Sequence, residues 1–287
     1  MAPFSLLLST LLLSVITLVS SAPTTGSENA TIIELDPRAP AQVITKCTVP
    51  NTAALTFDDG PYWFMREVIR QVEAANGKAT FFVSAYHLVP STFLDAASLT
   101  LVSPCILSDG NNWACIYNTE LSGNVRYAFE RGHQIGSHTW QHKDLTTLTW
   151  DQIHHQMWLT EQAITRITGA VPAMMRPPYG NHNSLVREAA GVRGQSIVLW
   201  DFDSGDSTGS TVAQQKARFD ELTSRRPSNV LSLQHDVHWS TVYETLPHAI
   251  TKLKAAGYNL VTVADCLGTR KYQSVGPAEP RNANWVC

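Results

Sequence analysis

Short apolar runs alternate with amphipathic stretches along residues 53–261, and this alternation constrains the fold more than any other feature of the chain. Ala53 to Phe57, Ala79 to Val83, Gln134 to Gly136, Ser196 to Trp200, Asn229 to Leu233 and Asn259 to Val261 read as strands. Between them, helical periodicity is expected around residues 63–76, 124–131, 149–169, 184–190, 211–224 and 243–256. The clearest helix opens at Thr149, with Gln152 three residues later as in a capping box. It carries Ile153, Met157, Ile164 and Ile167 on one face and ends at Gly169. Strands without a polar face must be covered on both sides, so the pattern predicts an α/β fold with a parallel sheet, either closed as a barrel or doubly wound.

The ends of the chain differ from this middle. Residues 1–22 contain no charged side chain, Phe4 to Val19 is nearly continuous apolar sequence, and Val19-Ser20-Ser21-Ala22 offers a cleavage site. The segment is expected to be a signal peptide rather than a membrane anchor. Residues 23–46 read as a linker or N-terminal arm, 47–270 as the folded domain and 271–287 as a C-terminal tail. No later segment suggests a bilayer span, a carbohydrate-binding module or a lipid-anchor signal. Export favours disulfides among the five cysteines. The expected pairs are Cys47 with Cys266, tying the domain's ends together, and Cys105 with Cys115, stapling a Gly/Asn-rich loop. Cys287 is then free or intermolecular, and other connectivities stay open. Asn29-Ala30-Thr31 is a glycosylation sequon.

Charged residues are 16% of the chain and the net charge is -3, which argues against a nucleic-acid partner. In parallel α/β folds ligands bind where strands end. Four predicted strand ends are polar: Asp58-Asp59; His138 with His142; Asp201, Asp203 and Asp206; and His235-Asp236. Arg176 to Gly180 forms a fifth, rigid loop. Two imidazoles and one carboxylate make a three-ligand set that leaves positions open for water and substrate. Neighbouring residues leaving a strand point apart, so Asp58 and Asp59 are expected to divide proton transfer and metal binding. His235, next to a carboxylate, suits protonation of a leaving group. Adjacent aspartates are poorly placed to bracket a glycosidic bond. His154 and His155 read as surface residues, and His87, His133, His182, His238 and His248 as structural ones.

In chain order, Thr56-Phe57-Asp58-Asp59-Gly60-Pro61, Ser137-His138-Thr139-Trp140-Gln141-His142, Arg176-Pro177-Pro178-Tyr179-Gly180, Asp203-Ser204-Gly205-Asp206 and Leu231-Ser232-Leu233-Gln234-His235-Asp236 resemble the five motifs of the polysaccharide deacetylase family, carbohydrate esterase family four. The likeness is strongest to its fungal chitin deacetylases. It implies a distorted (β/α) barrel with parallel strands. It also implies Asp58 as general base, one divalent ion (zinc, or cobalt) on Asp59, His138 and His142, and Arg176 orienting Asp58. The Tyr179 backbone N–H would stabilise an oxyanion, His235 held by Asp206 would be the general acid, and Leu233 would receive the acetyl methyl. Ser207 departs from the tryptophan usual at the end of the fourth motif, and Trp140 or Trp239 could supply an aromatic wall instead. The resulting expectation is a secreted or cell-wall-associated, monomeric chitin deacetylase that releases acetate and leaves chitosan, with neither nucleic acid nor membrane as partner. The alternatives are an acetylxylan esterase and a carbohydrate-binding protein that has lost turnover.

Overall fold

The computed structural model describes residues 39–88, 105–106 and 112–287. The leader and the Asn29 sequon lie outside them. The main sheet is built from β1 (Val43–Ile44), β2 (Thr52–Ala54), β3 (Thr56–Asp58), β4 (Thr80–Val83), β8 (Gln134–Ser137), β10 (Met174–Met175), β11 (Ser196–Val198), β12 (Phe202–Asp203), β13 (Asn229–His235) and β14 (Asn259–Val261). Its order is β1-β11-β10-β8-β4-β3-β13-β2-β14, with β12 on β13, and every pairing is parallel. Antiparallel pieces lie outside it. These are β5 (Tyr86–Leu88), β6 (Cys105–Ile106) and β7 (Asn112–Cys115) in one sheet, and β9 (Ala170–Pro172) with β15 (Tyr272–Val275) in another.

Strand alternation shows how the ladder curls. Ile44, Ala54, Phe82, Met174, Val198 and Leu231, from six strands spread along its whole length, meet in one apolar cluster. Residues of opposite parity (Phe57, Phe81, Ile135, Val230) face an outer layer of helices. That layer contains α1 (Met65–Ala74), α2 (Thr119–Glu130), α5 (Val212–Arg225) and α6 (Leu246–Ala255), while α3 (Trp150–Thr168) and α4 (Ser184–Val192) cover Met175 and Ile197. The edge strands β1 and β14 do not pair among the described residues. The gap is spanned by the Cys47–Cys266 disulfide, which joins the chain just past β1 to α7 (Val263–Leu267) just past β14. Helix α7 fills the floor of the barrel with Val263, Ala264 and Cys266. Its first backbone N–H groups would be orphaned there, but Val263 donates to Thr80 Oγ1 at 2.9 Å and Ala264 to Gln134 Oε1 at 2.9 Å.

The helix signals have physical counterparts. Thr149 Oγ1 accepts from Gln152 N, Gln152 Oε1 accepts from Thr149 N, and Gly169 closes α3 at φ 80°. Three expectations are corrected. The arm is not loose up to residue 46, because Val43 and Ile44 form β1 on β11. The C-terminal stretch is not a loose tail, because β15 pairs with β9 and Trp285 is buried against Tyr117. Cys115 does not pair with Cys105. It bonds Cys287, which is therefore not the odd cysteine. A local bridge looked natural from spacing, but β7 runs out to where residues 280–287 return across Tyr117, and that meeting leaves no trace in local sequence.

Candidate active site

The functional side chains follow from the same parity. On β13, Leu231 is in the interior cluster, so Leu233 and His235 climb the same face toward the strand's carboxyl end. Met174 is followed on its face by Arg176, Gly136 by His138 and Thr56 by Asp58. Each strand thus carries an apolar or small plug at mid-height and a polar group two residues on, at the barrel mouth.

Arg176 is fully buried and is the hub of the Asp58 side of the mouth. Its Nη1 donates to Asp58 Oδ1 at 2.8 Å and to Thr56 Oγ1 at 2.6 Å, Nε donates to Val198 O at 3.1 Å, and Nη2 to Leu199 O at 2.8 Å. Four of its five N–H groups are therefore committed. The guanidinium stacks on the Phe82 ring at 4.4 Å, with the Trp200 ring at 5.5 Å. Gly136 makes the Phe82 contact feasible, since a Cβ there would sit 2.6 Å from that ring.

Asp59 leaves the strand at φ 69° and turns away from Asp58. Its Oδ1 lies 3.4 Å from His138 Nε2 and 3.3 Å from His142 Nε2, and one ligand atom from each of the three residues falls within 4.8 Å of the others. His138 Nδ1 is 2.7 Å from the Arg176 carbonyl. A carbonyl only accepts, so Nδ1 carries a proton, and Nε2 is the nitrogen turned to the triad. Burial pushes His142 down to about 4, aided by the charge of His138, so it is a neutral imidazole. Burial by itself would raise the Asp59 carboxyl, yet the hydrogen bond and charge of His138 hold it far below the carboxylate range. Burial opposes a charge on His138, but Asp58 and Asp59 beside it raise its basicity, so a bound ion would displace its Nε2 proton; two imidazoles and one carboxylate then match the donor set of a catalytic zinc-type site.

His235 stands on the other side of the mouth. Its Nδ1 and backbone N each lie 2.8 Å from an oxygen of Asp206, whose Oδ2 also accepts from Thr241 Oγ1 at 2.8 Å. Burial lowers the His235 imidazole, but the Asp206 carboxylate overrides it and lifts it to about 9. Its ring is thus charged at neutral pH, with Nε2–H free of Asp206.

The Arg176 loop folds over the triad, with Tyr179 at φ 61° and 65% exposed and its ring edge-on to His142 at 4.9 Å. Asn181 Nδ2 donates to Asp144 Oδ2 at 2.8 Å and ties this loop to the histidine loop. Among the described residues seven non-glycine positions have positive φ, and Asp59, Thr139, His142 and Tyr179 are four of them. Such strain, about 1–3 kcal/mol per residue, persists where surrounding contacts over-determine it.

Nine of the sequence-derived site residues converge here: Asp58, Asp59, His138, His142, Arg176, Tyr179, Asp206, Leu233 and His235. Trp140 does not. Its side chain is 7% exposed and packs toward Tyr117 in the outer core. The left-handed Thr139 turns the chain there and pins the loop between the two histidines. Of the acidic run, Asp201 accepts from Leu231 N and Asp203 from Gly205 N, and only Asp206 reaches His235. Thr56, Phe82, Trp200 and Thr241 were not foreseen. A period of two would have placed Thr56 beside Asp58, whereas nothing local marks Thr241.

A sequence profile of the polysaccharide deacetylase family matches residues 45–198. A chitin deacetylase of Pestalotiopsis sp is 37% identical over 226 residues, covering 79% of this chain and 67% of the relative. A chitin deacetylase of Colletotrichum lindemuthianum is 31% identical over 259 residues, covering 87% and 92%. The solved structure of the chitin deacetylase from Colletotrichum lindemuthianum superposes with a TM-score of 0.67 at 30% identity, covering 81% of this chain and 94% of that one. Profile, relatives and barrel agree, and the chain belongs to the polysaccharide deacetylase family.

Proposed function

We propose that the protein is a metal-dependent N-deacetylase acting on β-1,4-linked N-acetylglucosamine polymers or oligomers, as a chitin deacetylase. The observation that carries this reading is the placement of an Arg-clamped carboxylate and a carboxylate-held imidazolium on either side of the Asp59–His138–His142 triad. A divalent ion there, zinc or cobalt, supplies Lewis acidity that polarises the acetamide carbonyl and lowers the pKa of water.

The chain's own groups do the rest. Asp58, fixed by Arg176, takes a proton from the attacking water, whose oxygen bonds to the acetamide carbon. The Tyr179 backbone N–H, on the loop over His142, steadies the negative carbonyl oxygen, a contribution of about 3 kcal/mol for one such donor. Leu233, buried beneath the mouth, receives the acetyl methyl. As the C–N bond breaks, His235 gives its Nε2 proton to the nitrogen, so glucosamine leaves as a neutral amine and acetate remains.

A His235 kept protonated favours an amide over an ester substrate. An amine cannot depart without a proton, while an alkoxide depends on one less, and here a buried carboxylate is devoted to keeping His235 protonated. The two disulfides suit an oxidising compartment and support export. No described helix is long and apolar enough to cross a membrane. The test is acetate release from chitin oligomers and from acetylated xylan under one set of conditions. Release mainly from the oligomers is expected, and a clear preference for xylan would replace the amide reading with an esterase.

A further inference from the structure

An exposed aromatic pair stands beside the catalytic acid with no partner assigned to it. Trp239 is 50% exposed, Tyr243 is 41% exposed, and their rings stack at 5.2 Å with 25° between planes. Soluble proteins seldom display flat aromatic surface together in this way unless something covers it. The pair is continuous with the site along two routes. From His235 the path runs through His238, whose ring is 5.8 Å away, to its neighbour Trp239. From the Asp58–Asp59 loop it runs through Tyr62 and Phe64, rings 5.1 Å apart, to Tyr243 at 5.6 Å from Phe64. The platform is also rigidly referenced to the acid. Trp239 and Tyr243 flank Thr241, whose hydroxyl donates to the same Asp206 carboxylate that holds His235. Residues 241–245 form a π-helical turn, a feature frequent at functional sites.

We propose that Trp239 and Tyr243 form a stacking platform for the pyranose ring next to the one being deacetylated, on the His235 side of the cleft. The inference rests on the N-acetylglucosamine-polymer reading above. A linear sugar chain must leave the site on that side or the other, its rings are uncharged with one apolar C–H face, and a flat Trp–Tyr surface buries that face while leaving hydroxyl groups in water. The low charge of the chain is consistent with such a substrate.

The test compares kcat/KM for acetate release from the N-acetylglucosamine dimer and pentamer, using wild type, Trp239→Ala, Tyr243→Ala and Trp239→Phe. The expected result is that the pentamer-to-dimer ratio falls about tenfold in Trp239→Ala, falls in Tyr243→Ala, and stays within about twofold of wild type in Trp239→Phe, which keeps a flat ring. Equal losses on both lengths, or no loss on either, would overturn the platform while leaving the deacetylase reading intact. Wild type that releases no acetate from either oligomer would instead overturn the reading beneath it. Sedimentation adds the remaining occupant: a wild-type dimer that Trp239→Ala splits would assign the pair to self-association and also overturn the proposal.

Discussion

Arg176 Nη1 lies 2.8 Å from Asp58 Oδ1 with both side chains almost wholly out of water, so the proposed base is held by a cation that has no solvent to fall back on. Removing one partner of such a pair leaves an uncompensated buried charge. Arg176→Ala is expected to cost about 3–5 kcal/mol of stability and to abolish acetate release. Arg176→Lys keeps the charge but cannot reach Asp58, Thr56, Val198 and Leu199 together, so activity should fall well below wild type while the fold survives. Thermal melts and acetate release on both variants separate the two effects.

On the proposed mechanism Asp206 sets when His235 is available as the acid. Only protonated His235 can donate, and with Asp206 ionised it stays protonated up to about 9. In Asp206→Asn burial is no longer opposed by that carboxylate and the imidazole loses its proton at lower pH. The alkaline limb of the kcat/KM profile should therefore move to lower pH, with a loss of about 10²–10⁴-fold at neutral pH. A profile with the wild-type alkaline limb would show that Asp206 does not tune the acid.

Gly136 acts at one remove. A methyl group there would fall 2.6 Å from the Phe82 ring, on which Arg176 rests. Gly136→Ala should cost about 1–3 kcal/mol and reduce kcat more than KM, because it displaces the base clamp rather than the sugar cleft. Steady-state kinetics with a melting curve will show whether the two losses come together.

The Cys115–Cys287 bridge closes a loop across 172 positions and anchors the segment carrying Trp285. The double substitution of both cysteines by serine is expected to lower stability by about 2–5 kcal/mol, read as a drop in Tm of roughly 5–15 °C. Acetate release at 25 °C should persist, since neither cysteine belongs to the triad or to the two proton-transfer pairs.

His133 gives the fold its own pH dependence. It is buried, its Nδ1 accepts from Ala79 N at 3.0 Å, and burial holds it down to about 4. The unfolded chain takes up this proton near 6.5. The folded state therefore binds fewer protons between those values, and its stability is full above about 6.5 and declines as pH falls toward 4. The drop in Tm between pH 7 and pH 4.5 should be smaller in His133→Gln, which has no proton to gain.

Much of this site was legible because strands impose a period of two. Polar residues just past apolar runs pointed to the barrel mouth, and the divergence of Asp58 from Asp59 follows from one residue lying in the strand and the next in the turn at φ 69°. What escaped the sequence was set by contacts between distant segments. Trp140 looked like a cleft residue because it sits between His138 and His142, but Thr139 turns the chain and sends the indole into the core. Cys287 looked spare because its partner is 172 positions away, and the β1 segment looked like linker because two residues carry too little periodicity to announce a strand. Thr241 was invisible because its role depends on Asp206 arriving from another loop.

The central claim is that the Asp59–His138–His142 triad holds a divalent ion on which Asp58 and His235 depend. The most direct measurement is acetate release from the N-acetylglucosamine pentamer by the full chain as purified, after chelator treatment, and after return of zinc or cobalt. The account predicts loss of release on chelation, recovery with either ion in the wild type, and no recovery in Asp58→Asn. Undiminished release from the chelated, metal-free protein, or full activity of Asp58→Asn, would contradict it.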